Sequence, residues 1–277
     1  MNQNSNFINI DILEKCKNND VTIILQGVIH DESIFVKIIE NYKKIANIIV
    51  SSYFLNNQPF YSKLKNTYPE IIFIDNDLKK FENELIFSNN YSKSDKQDSN
   101  AYLNNYYYQI KTTEAALKFV KTKYVIKSRV DFYFSDMNSF MNEMVQNSDI
   151  ITIISIYIRN YDFCVSNNLK YHPSDICYGG KMEIINYVSE CELKNFCLEC
   201  ICSEDRKWRY YCNIKMKEKK IKEQDIFKNV NVYSDFMSEI FNVYPINKNN
   251  ASYNFKGNTF FNDSIKSSKG YFMLGCC

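Results

Sequence analysis

Along the first half of the chain, short β-branched runs alternate with stretches whose apolar positions repeat every three or four residues. Val21-Thr22-Ile23-Ile24-Leu25 reads as a strand that stops at Gln26-Gly27. Asp31 stands where a helix cap belongs, ahead of Ile34, Phe35, Ile38, Ile39 and Tyr42 at helical spacing. Ile48-Ile49-Val50 predicts a second strand ending at Ser51-Ser52, and Ile71-Ile72-Phe73-Ile74 a third ending at Asp75-Asn76-Asp77. Strands spaced by helical stretches, each stopping at small or polar residues, predict βαβ units in a parallel sheet with a loop-built site along one edge.

Residues 87 to 101 are polar and aperiodic and read as a surface loop, ahead of a helix expected from about Asn104 to Lys121. Tyr124-Val125-Ile126 then opens a strand that carries charge at every second position: Lys127, Arg129 and Asp131. Residues two apart on a strand share a face, so these three would line up, with Ser128, Val130 and Phe132 opposite. A core strand whose charged end emerges into a cleft fits this pattern; so does an edge strand with a solvated face. Asp149 to Ile156 predicts another strand, Tyr171 to Asp175 a turn, and Ile176-Cys177-Tyr178 a run into Gly179-Gly180, with a helix after the glycines. Beyond residue 190 the pattern is less regular. The expected fold class is α/β, a Rossmann-like, mostly parallel sheet flanked by helices with an irregular C-terminal third, in one domain over 1–277.

Composition narrows the function. Hydrophobic residues are 45% and charged residues 24%, a globular balance, and Gly (6) and Pro (4) are too few for a linker-rich chain. A net charge of +2 argues against a nucleic-acid partner held by a basic face. No apolar run approaches the roughly 20 residues of a membrane span, and the polar first residues lack the regions of a signal peptide. A cytoplasmic location is expected, at most peripheral to a membrane, with the ten Cys reduced.

In this order, the motifs resemble the WavE-type lipopolysaccharide-synthesis family, glycosyltransferases with a GT-A-like fold. The resemblance runs from Ile23-Ile24-Leu25-Gln26-Gly27 through Ile49-Val50-Ser51, Asp75-Asn76-Asp77, and Asn105, Gln109-Ile110 and Thr112. Its sharpest parts are Lys123 to Asp131 and His172-Pro173-Ser174-Asp175 with Gly179; Glu223-Gln224 closes it. Two departures stand out. Tyr108 replaces an Arg next to the helix Gln, and Leu78-Lys79 replaces a Pro-Gly after the third-strand acid.

The resemblance implies a nucleotide-sugar-binding core over residues 20–180, acceptor-side helices and tail over 181–277, a nucleotide-sugar donor, and a glycan or glycolipid acceptor. The leaving diphosphate then needs neutralising by a divalent metal or by fixed cations. Asp131 is the candidate ligand for Mn²⁺ or Mg²⁺, in Asp131-Phe132-Tyr133, with His172 or Asp175 completing the shell. Lys127 and Arg129 are candidates for the phosphates, and Gln26, Gly27, Ser51, Asp77, Asn105 and Gln109 for the rest of the donor. Asp175 and Glu223 are candidates for the base that takes the acceptor proton, Glu223 being expected on a Lys-rich helix. The bland alternative for Arg129 and Asp131 is a structural ion pair.

Other features carry less. Cys191, Cys197, Cys200, Cys202 and Cys212 crowd together, but one Cys-x-x-Cys without a clean second pair reads as free thiols rather than zinc. Cys276-Cys277 resembles a prenylation tail without upstream context. Arg206 to Tyr211 mixes cations and aromatics, which suits an anionic acceptor less well than ordinary packing. His30 has no assigned role. A silent binding module on the same fold is the main rival. A nucleotidyltransferase would want a Gly-rich loop where Gln26-Gly27-Val28-Ile29 stands.

Overall fold

A computed structural model describes residues 20–53, 60–77, 79–80, 97–155, 158, 161–166, 171, 173–194, 203–246, 251–255, 258–260, 267–268 and 271–272. For residues 97–106, 163, 191–194, 203–206 and from 251 onward, the backbone alone is described.

The chain runs through β1 (Val21–Gln26), α1 (Glu32–Tyr42), β2 (Asn47–Tyr53), α2 (Tyr61–Thr67), β3 (Ile72–Asn76), α3 (Gln97–Leu117) and β4 (Tyr124–Arg129). It continues through β5 (Phe132–Phe134), α4 (Met137–Gln146), β6 (Ile151–Ile154), α5 (Tyr161–Ser166), β7 (Cys177–Lys181), α6 (Met182–Lys194) and α7 (Ser203–Lys219). Next come α8 (Glu223–Ile226), α9 (Val230–Ile240) and β8 (Phe241–Tyr244), then β9 (Ala251–Phe255), β10 (Asn258–Phe260), β11 (Ser267–Ser268) and β12 (Tyr271–Phe272).

The large sheet has seven strands in the order β3-β2-β1-β4-β7-β6-β8. β7 alone runs against its neighbours; the other strands share one direction. This is the Rossmann-like architecture expected from the sequence: a mostly parallel sheet flanked by helices. β5 leaves it for a three-stranded sheet with β9 and β10.

Both faces of the sheet are covered, which is why every residue of β1 is buried and the strand reads as one apolar run. Val21, Ile23 and Leu25 pack with Phe35, Ile38 and Ile39 of α1 and Phe140, Met141 and Met144 of α4. Ile24 joins the opposite cluster with Val125, Tyr178, Trp208 and Phe236. The predicted cap is present: Asp31 Oδ1 accepts from Ser33 N at 2.9 Å and Ile34 N at 3.1 Å.

Several expectations move. α3 begins at Gln97, inside the stretch read as loop, whose residues 87–96 lie outside the described residues. β7 runs on through Gly179 and Gly180, and 179 suits glycine because a side chain there would meet Met144 Sδ at 2.5 Å, Ile126 Cγ1 at 2.9 Å and Val125 O at 3.0 Å. β4 ends at Arg129, so Asp131 sits in the turn that follows rather than on the strand face. Glu223 is not on the Lys-rich helix: α7 ends at Lys219, Lys220 takes a left-handed φ of 57°, and Glu223 opens the separate α8.

Candidate functional site

A parallel sheet of this kind has a place where a ligand fits without being built for it. β1 is flanked by β2 on one side and β4 on the other, and the chain leaves β1 in one direction and returns in the opposite one. Helices pull away from each other there, opening a crevice at the carboxyl ends of the strands. Gln26 at the end of β1 lies beside Ser51 of β2 and Arg129 of β4. β7 runs the other way, with Cys177 beside Ser128. Its amino-terminal approach, including Asp175, therefore reaches the same edge. Strand direction brings together residues that the sequence separates by about a hundred positions.

On the β1–β2–β3 side the crevice is walled by a polar seam onto α3. Gln26 Nε2 donates to Gln109 O and to Thr112 Oγ1, both at 2.7 Å. Ser51 Oγ donates to Thr112 O at 2.7 Å and accepts from Asn76 Nδ2 at 3.1 Å. Gln26 Oε1 and Gln109 Oε1 are buried with no hydrogen-bond partner among the described residues. An unmet buried acceptor costs about 1–3 kcal/mol, so these two are positions where a donor group would be stabilising. Gly27 follows at φ 120°, a conformation that disfavours any residue with a side chain; its N–H reaches Ser51 O at 3.4 Å.

On the β4 side, Val130 N donates to Gln26 O at 3.0 Å, and the turn brings Asp131 back onto Arg129. Arg129 Nε and Nη2 donate to Asp131 Oδ1 and Oδ2, each at 2.8 Å. The Arg129 side chain is 25% exposed and that of Asp131 8%. This is the ion pair that the alternating charge pattern left open as its bland reading. A two-residue offset permits it because the intervening turn folds Asp131 toward the guanidinium.

Lys127 does not reach solvent. It is 1% exposed, its Nζ donates to the backbone O of Asp175 at 2.6 Å, and it lies 5.5 Å from the centre of the Tyr178 ring. Burial holds its ammonium down at about 8; the Asp175 charge opposes that, while Lys207 and Arg129 reinforce it. Lys207, on α7 and 3% exposed, lies 4.9 Å from the same Tyr178 ring. Asp175 is 7% exposed at this edge.

The structure thus gathers Gln26, Gly27, Ser51, Gln109, Lys127, Arg129, Asp131 and Asp175. Asp77 is exposed and its Oδ1 accepts from Lys80 N at 3.2 Å, a capping contact. Glu223 is on α8, beside α9. His172, the Asn105 side chain, Cys197, Cys200 and Cys202 lie outside the described residues, as does the Cys191 side chain. Cys212 is a buried thiol outside any disulfide, and Trp208 is core, edge-on to Tyr178 and Phe241. His30 is exposed.

Three neighbours of the crevice went unassigned from sequence. Asn76 ties β3 to β2, and Tyr53 at the end of β2 stacks with Tyr108 of α3 at 5.6 Å. Lys207 was masked by its aromatic neighbours. Tyr53 and Asn76 had a usable signal, since both close strands at the predicted edge. A cleft of about 360 Å³ between α6 and α7 is lined by Glu183, Tyr187, Tyr211, Lys215 and Glu218, none of them at the switch point.

The side chains at this edge are a poor donor set for Mn²⁺ or Mg²⁺. Both Asp131 oxygens are forked by Arg129, and no group of three His, Cys, Asp or Glu that could hold a metal exists among the described residues. These residues do not fit a preformed divalent site.

No family model matches the chain. No curated protein matches it. Among solved structures, TarS 1-349 of S. aureus is 9% identical with a TM-score of 0.39, over 70% of this chain and 56% of that one. Mouse xyloside xylosyltransferase 1 is 11% identical with a TM-score of 0.36, over 82% and 85%. Glucosyl-3-phosphoglycerate synthase from Mycobacterium tuberculosis, solved with Mn²⁺, uridine-diphosphate and glucosyl-3-phosphoglycerate, is 9% identical with a TM-score of 0.36, over 62% and 60%. This chain therefore spans less than two thirds of two of these three proteins. The likenesses are distant.

Proposed function

We propose that this protein is a glycosyltransferase that moves a sugar from a nucleotide-diphosphate donor to a hydroxyl of a glycan or glycolipid precursor. The observation that carries the reading is the switch-point crevice, where the left-handed Gly27 turn, the unmet Gln26 and Gln109 oxygens and the Arg129 guanidinium meet. Gly27 lets backbone approach a ligand closely, the amide oxygens accept from base or ribose donors, and Arg129 offers a cation to phosphate. The sequence resemblance to the WavE-type family favours a surface glycan as the acceptor class.

Asp175 is the base in this reading, because it reaches the same edge and its backbone is held by Lys127, whereas Glu223 belongs to α8. Its carboxylate takes the acceptor hydroxyl proton as that oxygen bonds to the anomeric carbon. The bond from that carbon to the diphosphate oxygen breaks, and its electron pair leaves with the diphosphate. Arg129 offers positive charge to that leaving group. A silent binding module is the second reading, favoured by the Arg129–Asp131 fork, which already spends both carboxylate oxygens.

The test is a thermal-shift screen against nucleoside diphosphates and nucleotide-sugars with and without Mn²⁺, followed by donor turnover read as nucleoside diphosphate release. One nucleotide should raise the melting temperature by mass action. Asp175→Asn should keep that shift and lose turnover by about a hundredfold or more. Binding without turnover in any acceptor mixture moves the assignment to the silent module; no shift from folded protein ends the nucleotide reading.

A further inference from the structure

The cleft of about 360 Å³ between α6 and α7 stands away from the crevice. Met182 N donates to Lys123 O at 2.8 Å, so the first turns of α6 lie at the amino end of β4, opposite the end where the crevice opens. On α7, Tyr211, Ile214, Lys215 and Glu218 follow the three- and four-residue spacing of a single helical face. Glu183, Ile184 and Tyr187 line the cleft from α6. The lining is mixed: two apolar isoleucines, an exposed Tyr187 ring, two carboxylates that accept and a lysine that donates. Lys215 Nζ bonds Glu218 Oε2 at 2.8 Å and lies 5.6 Å from the centre of the Tyr211 ring. Tyr211 is 3% exposed and its ring packs edge-on to Phe241 at 5.6 Å, yet its hydroxyl has no hydrogen-bond partner among the described residues. Burial pushes the phenol up, with Cys212 and Glu218 adding to it, so the group stays a neutral O–H and feels a carboxylate of this cleft. An unmet buried hydroxyl is unfavourable, and a polar ligand in the cleft relieves it.

We infer that this cleft is a carbohydrate-binding site that takes one or two neutral sugar rings, separate from the crevice at the other end of β4. The charges select the class. An anion would meet the Glu183 and Glu218 carboxylates, and a small cation would meet the Lys215 ammonium. A neutral polyol suits both, since each hydroxyl can donate to a carboxylate and accept from an ammonium. The Tyr187 ring and the isoleucines cover the C–H face of a sugar, and the Tyr211 hydroxyl gains its partner from the ring substituents. The volume is at the small end of ligand pockets, which suits a ring or two. The inference goes beyond the transferase reading and does not rest on it, because no residue of this cleft belongs to the crevice.

The experiment is saturation-transfer NMR titration of the full chain with glucose, galactose, N-acetylglucosamine, maltose and lactose, with pyrophosphate and spermidine as the anionic and cationic controls. At least one sugar should bind, with a dissociation constant on the order of 1 mM. Tyr187→Ala, at an exposed position, should weaken that binding about tenfold. Tyr211→Phe should also weaken it while leaving the melting temperature of the free protein no lower, since the lost hydroxyl has no partner to leave behind. Sugar binding that neither variant changes lies elsewhere on the molecule and overturns the site. Silence across the sugars overturns the carbohydrate assignment, as does tighter binding of spermidine or pyrophosphate that Tyr187→Ala abolishes. A lower melting temperature in free Tyr211→Phe shows the hydroxyl already bonded and overturns its contact with the sugar. Nucleotide binding should be the same in Tyr187→Ala, so the failure of this site and the failure of the crevice are read separately.

Discussion

The sheet has two unlike sides. β3, β2, β1 and β4 are parallel and joined by connections that run back over the sheet faces, whereas β7, β6 and β8 contain the one reversed strand and are held by α6, α7 and α9. On the parallel side, each strand ends at the crevice, so polar strand-end residues are functional candidates by position alone. On the other side a candidate arrives by direction reversal, as Asp175 does before β7. A crevice at this seam draws Gln26, Ser51, Arg129 and Asp131 from the first side and Asp175 from the second.

The most severe way to break that comparison is to loosen the second side. Trp208 is fully buried between Tyr178 and Phe241, at ring distances of 5.1 and 5.2 Å, and joins α7 to β7 and β8. Trp208→Ala should cost about 3–5 kcal/mol in urea denaturation followed by circular dichroism. A loss below about 1 kcal/mol would mean that α7 does not hold that side together.

Lys127 gives the next effect, read through pH. Its ammonium sits at about 8 in the folded chain against an ordinary 10.5, so between those values the unfolded chain binds the extra proton and stability rises with pH. The rise is on the order of 3 kcal/mol, complete above the unfolded value and lost as pH falls through about 8. Lys127→Met should flatten that stretch of the stability curve. An equal rise in the variant would assign the titration elsewhere.

Gly179→Ala probes the seam itself and should cost about 1–3 kcal/mol, since the added methyl meets the Ile126 side chain and the Val125 carbonyl across the β4–β7 pairing. A neutral result would show that Met144 and β7 yield easily. The smallest effect belongs to the parallel side: Asp31→Ala removes the α1 cap and should lower stability by about 1 kcal/mol, with the Gly27 turn and ligand binding retained. Lost binding in that variant would couple α1 to the crevice.

The same division explains what could be read in advance. β1, β2, β3 and the Asp31-capped α1 were legible because apolar period and capping chemistry are local. Gln26 and Ser51 were legible as strand ends, and Arg129 and Asp131 as charges at the emerging end of a strand. Periodicity says nothing of direction, so the reversal of β7 was hidden. Charge alternation also continued past the end of β4, since a turn residue two positions from Arg129 keeps the spacing while leaving the strand. Lys207 looked like the rim of an aromatic patch because burial of a lysine depends on the α7 packing and leaves no local mark. The α3 start at Gln97 was missed because its first turns are polar.

The pairing of β1 with β4 has a consequence in time. Gln26 and Arg129 lie opposite each other in the sheet, yet about a hundred residues must be looped out before they meet, a closure whose entropy is lost before any contact repays it. Local hairpins and helices of this chain can form within microseconds, but the crevice exists only once that distant strand has docked beside β1. A chain cut before residue 129 therefore lacks the β4 side of the crevice, and on the proposed reading refolding should recover nucleotide affinity in step with the slowest phase of sheet formation.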